Sequence, residues 1–296
     1  CSRSPGYWTP DMTLVPGQPE RLSPLVTRLV APNPGPMTGP GTNTYLLGRE
    51  AVVVVDPGPA LPAHVDAILA AAEGPIRYIV CTHTHPDHSP AWQALAEATG
   101  AEVHGALPYG DDHQDESFRP DVEFAHEQRL VTGELSLLAL HTPGHVSNHY
   151  CLLLEDEGVL FAGDHIMQGS TVVIIPPGGD MAAYIRSLKL LLGYPVQVIA
   201  PGHGALIEDS RREVDRLVRH RLLREAKVVG GLERLGETDP DTLVKVVYDD
   251  VDPALHRWAK LSMAAHLIKL EQEGRAARAE NAERWRLVPA GEAGQP

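Results

Sequence analysis

The run His83-Thr84-His85-Pro86-Asp87-His88 constrains this chain more than any other stretch. Four side chains that bind metals fall within six residues, directly after the apolar segment Ile76 to Cys81. A strand alternates its side chains between two faces, so a strand could not aim all four at one point. A loop at the C-terminal end of a strand can. Ser89-Pro90 then reads as a helix N-cap and first helical residue, with the helix running to Thr99. Ligands between a strand and a helix occupy the position where open α/β sheets place their sites.

Three later segments repeat the pattern. Leu135 to Leu140 is an apolar run ending in His141-Thr142-Pro143-Gly144-His145. Val159 to Ala162 ends in Gly163-Asp164-His165, and Val196 to Ala200 ends in Pro201-Gly202-His203-Gly204. Each is a predicted strand followed by a Gly or Pro turn that carries His or Asp. A nitrogen and carboxylate donor set without cysteine suits zinc, iron or manganese.

HxHxDH, TPGH, GD and PGHG, in this order and at these separations, resemble the metallo-β-lactamase superfamily over residues 25 to 207. The resemblance implies an αββα sandwich. It implies that His83, His85 and His145 bind one metal, that Asp87, His88 and His203 bind a second, and that Asp164 bridges them. Zinc is the expected ion, with iron or manganese as alternatives. Asp164 followed by His165 stands where antibiotic-hydrolysing relatives place a cysteine, which disfavours a β-lactamase. Di-iron oxygen-reducing relatives carry Glu where His85 stands, which disfavours that branch.

The chain has 296 residues, enough for one large domain or two ordinary ones. No apolar run reaches the ~20 residues needed to span a membrane. The three cysteines, Cys1, Cys81 and Cys151, are too few for a disulfide framework. That pattern predicts a reducing, cytoplasmic location, with Cys81 and Cys151 as buried thiols. The net charge of −14 is uneven: residues 1–210 hold 9 Lys+Arg against 24 Asp+Glu, whereas residues 211–290 balance at +2. A catalytic part at −15 repels phosphate backbones at long range, which weighs against nucleic acid as substrate.

Residues 1–40, rich in Pro and Gly, read as irregular. Strands are expected at 51–55, 76–81, 102–106 and 129–140, and Tyr150 to Leu154 with Gly158 to Ala162 as a hairpin. Helices are expected at 62–73, 90–99 and 180–192, and an acidic loop at 109–127. Asp56 closes a strand before Pro57-Gly58 and is expected to hold that loop through local backbone bonds. His141, Asn148, His149 and His165 lie beside the ligands in sequence, where they could orient metal ligands or touch substrate, and His149, four residues after the third motif, is the best candidate among them.

After His203 the pattern turns helical, with predicted helices at 208–235, 239–247 and 253–273 and a two-stranded wing within Gly274 to Leu287. This tail resembles the winged-helix domain of the beta-lactamase-like protein 2 family. The segments that carry the resemblance are Val246-Val247-Tyr248, Leu255 to Lys260, His266 to Leu270 and Gly274. The expected division is residues 1–207 as the catalytic domain and 208–296 as a linker helix with the winged helix. A charge of +2 fits a structural or homodimer-forming role for the tail better than duplex-DNA binding.

The expected activity is metal-dependent hydrolysis. Two metals hold a bridging hydroxide that is nucleophilic at neutral pH, and Asp87 is the residue expected to handle the proton. The charge balance favours a small ester, thioester or lactone. The resemblance offers single-stranded RNA as the alternative, because animal members of the beta-lactamase-like protein 2 family are endoribonucleases.

Overall fold

A computed structural model of the chain describes residues 14–107, 113–279 and 284–289. Its first sheet has seven strands in sequence order: β1 Glu20–Arg21, β2 Val26–Val30, β3 Asn43–Leu47, β4 Val52–Val55, β5 Ile76–Val80, β6 Glu102–Gly105 and β7 Val122–Glu123. The second has five: β8 Gln128–Val131, β9 Ser136–His141, β10 Tyr150–Leu154, β11 Val159–Gly163 and β12 Val198–Pro201. Helices α1 Pro62–Ala71 and α2 Trp92–Thr99 connect strands of the first sheet, and α3 Met181–Leu191 precedes β12.

Period-2 burial makes the sandwich. In β4, Val53 and Val55 face the seam between the sheets, where they meet Leu137, Leu152 and Phe161. Val52 and Val54 face outward and are covered by Val65 and Ile68 of α1 and Leu95 of α2. β9 alternates the same way: Leu137 and Ala139 enter the seam, while Leu138 and Leu140 pack under Tyr184 and Leu188 of α3. The result is the expected αββα order, helices outside and sheets within.

Two expectations are corrected here. Residues 20–30 are not irregular, because Val26, Leu29 and Val30 are buried and β2 pairs antiparallel with β3. The helix after the histidine run begins at Trp92, not Pro90: the Ser89 hydroxyl donates to Asp115 Oδ2 at 2.8 Å and caps nothing. Of the acidic segment 109–127, residues 109–112 lie outside the described residues and Val122–Glu123 form β7.

The tail contains α4 Ser210–Leu235, α5 Pro240–Val247, a short 3-10 turn Pro253–Leu255 and α6 His256–Gln272. The wing is β13 Ala276–Arg278 paired with β14 Trp285–Leu287. Its core packs Val228 and Leu232 of α4 against Val244 and Val247 of α5 and Met263 and Leu267 of α6. Val214 and Leu217 of α4 and Ala265 of α6 join the core under α3, so the tail is bound to the sandwich.

One buried charge centre fixes this tail. Glu225 of α4, 5% exposed, accepts from Arg275 NH1 at 2.7 Å and is ion-paired with Lys269 Nζ at 2.7 Å. Burial alone would raise its carboxyl, but His266, Lys269 and Arg275 outweigh that and hold it at about 2. Its folded value lies below the unfolded ~4.5, so its contribution is complete above that pH and is lost as pH falls toward 2. Glu225→Gln is expected to cost ~2 kcal/mol near neutral pH and to flatten the acid limb of a plot of melting temperature against pH. A wild-type acid limb in the variant would remove this role.

Candidate metal centre

β4 and β5 run parallel, so their C-terminal ends lie side by side, with Val55 opposite Val80. Asp56 leaves β4 at φ 49°, a left-handed turn that an Asp tolerates better than most residues. Its Oδ1 accepts from Thr82 N at 2.7 Å, and its Oδ2 accepts from Thr82 Oγ1 at 2.8 Å and meets His88 Nδ1 at 3.0 Å. The local role expected for Asp56 is therefore replaced by a longer-range one: it fixes the entry and exit of the histidine loop.

Four of the five histidines in this space are aimed through the second ring nitrogen. Nδ1 of His83 meets Thr82 Oγ1 at 3.0 Å, Nδ1 of His145 meets Val173 O at 3.0 Å, and Nδ1 of His203 meets Gly41 O at 3.2 Å. With His88 on Asp56, four rings are left presenting Nε2 to a common space, and fixing a ligand's far nitrogen in this way is what orients metal-binding histidines. His85 is the exception and presents Nδ1, 3.1 Å from both His83 Nε2 and His145 Nε2.

Two donor sets result, His83, His85, His145 and Asp164 in one and Asp87, His88 and His203 in the other. Asp164 reaches both. Its Oδ2 lies 3.8 Å from His145 Nε2, and its Oδ1 lies 3.4 Å from His88 Nε2 and 3.3 Å from His203 Nε2. Asp87 Oδ2 stands 3.2 Å from His203 Nε2 and 3.4 Å from His88 Nε2. Zn–N bonds of ~2.0–2.1 Å in a tetrahedron put neighbouring donors ~3.3 Å apart, so these separations fit a divalent ion in each set. His88 Nε2 and Asp164 Oδ1 are buried without a hydrogen bond. Buried polar atoms left so are expected to have a partner, and an ion is one that serves both.

The electrostatics of the first set agree with a donor role, whereas in the second the carboxylates hold His88 and His203 toward the protonated form, from which a bound cation would release the protons. Burial, then the neighbouring His88 and His85, push His83 well below its usual value, and burial with His145 beside it brings His85 to about 4. Both rings are neutral at pH 7, with lone pairs available. Burial would also lower His203, but Asp164 and Asp87 overcome it and raise the ring to about 9. Burial would raise Asp87, yet His88 and His203 hold it at about 2.

The other sequence candidates are arranged around this centre, not in it. His149 donates or accepts through Nδ1 with Thr142 Oγ1 at 3.0 Å, and its ring packs 5.1 Å from that of His83. His165 is buried against the Tyr184 ring. Asn148 Nδ2 donates to Thr84 Oγ1 and to Ala106 O, and His141 Nε2 meets Ser147 O at 3.0 Å. Cys81 and Cys151 are free, buried thiols, and burial pushes Cys151 up to about 12. No local pattern marks Thr82 or the long reach of Asp56. Asp56→Asn keeps the shape but weakens the hold on His88. It is expected to cost about 10–100-fold in affinity at the second donor set, read by metal titration; unchanged affinity would show that Asp56 serves only the backbone.

The metal end, with His85, Asp87, His145, Asp164 and His203, opens on a cavity of about 820 Å³. Among the described residues no helix is long and apolar enough to cross a membrane.

Comparison with known proteins agrees with this geometry. Residues 37–203 match the family model of the metallo-beta-lactamase superfamily, and residues 240–285 match the beta-lactamase associated winged helix domain. The chain is 32% identical over 286 residues to the Beta-lactamase-like protein 2 homolog of Drosophila melanogaster, covering 89% of this chain and 93% of that protein. It is 32% identical over 219 residues to the Atrochrysone carboxyl ACP thioesterase of Aspergillus chevalieri, covering 72% and 67%. A beta-lactamase domain protein from Burkholderia ambifaria shares the fold at TM-score 0.80 and 20% identity, covering 94% of this chain and 96% of that one. The chain belongs to the metallo-beta-lactamase superfamily, among the members that carry the associated winged helix domain.

Proposed function

We propose that this chain is a dinuclear metal-dependent hydrolase of a small ester, thioester or lactone. His83, His85 and His145 would hold one ion, Asp87, His88 and His203 the other, and Asp164 both. The observation that carries this reading is the divided Asp164 carboxylate, one oxygen toward each donor set. Divalent ions in such a pair lower the pKa of a water toward ~7 and polarise the carbonyl under attack. Zinc fits the nitrogen and carboxylate donors, and iron and manganese fit them as well. The division at residues 207 and 208 and a cytoplasmic location belong to the same reading.

The chain's own residues supply the rest. Asp87 is ionised at neutral pH because His88 and His203 stabilise its charge. It lines the cavity, which lets it accept a proton from the attacking water and return it to the leaving group. Thr42 Oγ1 lies 3.3 Å from Asp87 Oδ2 and restrains that carboxylate. A relative named as an acyl carrier protein thioesterase supports acyl transfer to water as the reaction. Single-stranded RNA, the alternative, rests on the resemblance to the beta-lactamase-like protein 2 family and is opposed by the acidic catalytic part.

The test is a panel of acyl thioesters, lactones and a fluorogenic single-stranded RNA, offered to protein reconstituted separately with zinc, iron and manganese. Hydrolysis of a thioester or lactone by the wild type and not by His88→Ala protein is expected. RNA cleavage alone would replace the acyl substrate, and no turnover with any ion would end the hydrolase reading.

A further inference from the structure

The cavity beside the metal centre is bounded by two parts of the chain. The catalytic sandwich supplies the metal end and Met37. The tail supplies another part of the lining, a wall that includes Tyr248, Val251, Leu255 and Trp258. Met37 and Leu255 are each 52% exposed and Trp258 is 37% exposed. Large apolar side chains left in water around one concave site mark the place where an apolar ligand is buried.

This wall offers little to a phosphate. Arg224 lies over the Tyr248 ring at 4.2 Å, and its charge is taken by Asp250 at 2.8 Å. Arg221, 3% exposed, donates to Val172 O and lies over the Tyr184 ring at 5.1 Å. Single-stranded nucleic acid is held by exposed cations that track its backbone; of the two arginines lining this wall, Arg224 is paired with Asp250 and Arg221 is buried.

The wall is also tied to the reacting end. Arg221 of α4 holds the carbonyl of Val172, and the carbonyl of the next residue, Val173, meets His145 Nδ1. The tail and the metal-bearing loops therefore share one short strip of backbone, which fixes the reach between them. A volume of about 820 Å³ holds a molecule of drug size and is far more than an acetyl group needs.

We propose that the C-terminal helices are the acyl-binding wall of the enzyme, selecting esters or thioesters of bulky apolar carboxylic acids. The proposal rests on the hydrolase reading of the metal centre. The acyl carbonyl sits at the metal end and the apolar body lies on Tyr248, Val251, Leu255 and Trp258. In the thioester case, water oxygen forms the new bond to the acyl carbon, the C–S bond breaks, and the proton leaves with the thiolate, giving an acid and a thiol.

The test uses N-acetylcysteamine thioesters of acetic, hexanoic, decanoic and 2-naphthoic acids, with full-length metal-loaded protein. The naphthoyl-to-acetyl ratio of kcat/KM is expected to fall at least tenfold in Trp258→Ala and in Leu255→Ser. It is expected to stay at the wild-type value in Leu223→Ser, which changes an exposed side chain of α4 that does not line the cavity. Ratios within twofold of wild type in both wall variants would overturn the assignment.

A second readout separates the two readings. Calorimetric binding of 2-naphthoate to metal-free protein is expected to weaken at least fivefold in Trp258→Ala. If no thioester is hydrolysed but this dependence holds, the wall stands and the hydrolase reading falls. Naphthoate binding that is absent, or equal in both proteins, would overturn the wall, as would cleavage of single-stranded RNA that depends on Trp258.

Discussion

His88→Ala is expected to leave about one equivalent of divalent ion bound and to lower hydrolysis about 10³-fold, the equivalent of ~4 kcal/mol of transition-state stabilisation. His88 Nε2 stands 3.4 Å from both Asp87 Oδ2 and Asp164 Oδ1, so the change removes the nitrogen between two carboxylates. It also takes one of three bonds from Asp56, which keeps Thr82 N and Thr82 Oγ1. His83, His85, His145 and Asp164 remain as a complete donor set. Elemental analysis beside kcat/KM checks both halves. Two equivalents retained would overturn the division of ligands, and full activity with one would make the second ion dispensable.

Gly202→Ala is expected to lower hydrolysis about 10²-fold although it removes no ligand, because misplacing reacting groups by ~1 Å costs this much. A Cβ at Gly202 would stand 2.7 Å from His88 Cε1 and 2.8 Å from Asp164 Oδ1. The backbone cannot retreat easily: Gly202 N donates to Gly163 O at 2.8 Å, and Gly202 O accepts from Asn43 N at 2.7 Å. His88 and Asp164 must therefore move. The effect should appear as loss of the second ion together with lowered kcat/KM. Wild-type metal content and rate in this variant would mean that His88 and Asp164 tolerate displacement.

Much of this site was legible because its ligands follow strands whose apolar runs are themselves legible. His83, His145, Asp164 and His203 each come shortly after such a run, and the structure brings all four to one end of the sandwich. What stayed hidden depends on contacts without a fixed spacing. Asp56 meets Thr82 and His88 across 26 and 32 residues, so no local pattern reveals it. Ser89-Pro90 has the chemistry of a helix start, but Asp115 captures the hydroxyl and the helix begins later. β2 was masked by the prolines around it. The tail's wall was hidden for the same reason, since Trp258 and Met37 share a cavity only after folding.

The way the donors are divided between the sheets has a thermodynamic side. His83, His85, Asp87 and His88 follow β5 of the first sheet, and His145, Asp164 and His203 follow β9, β11 and β12 of the second. Any ion held by residues from both is a cross-link that only the folded chain offers. By linkage, free ion at about a hundred times its dissociation constant adds ~2.7 kcal/mol to the folded state. With ions bound there, the temperature at which the two sheets part would depend on the surrounding metal concentration as well as on the sequence.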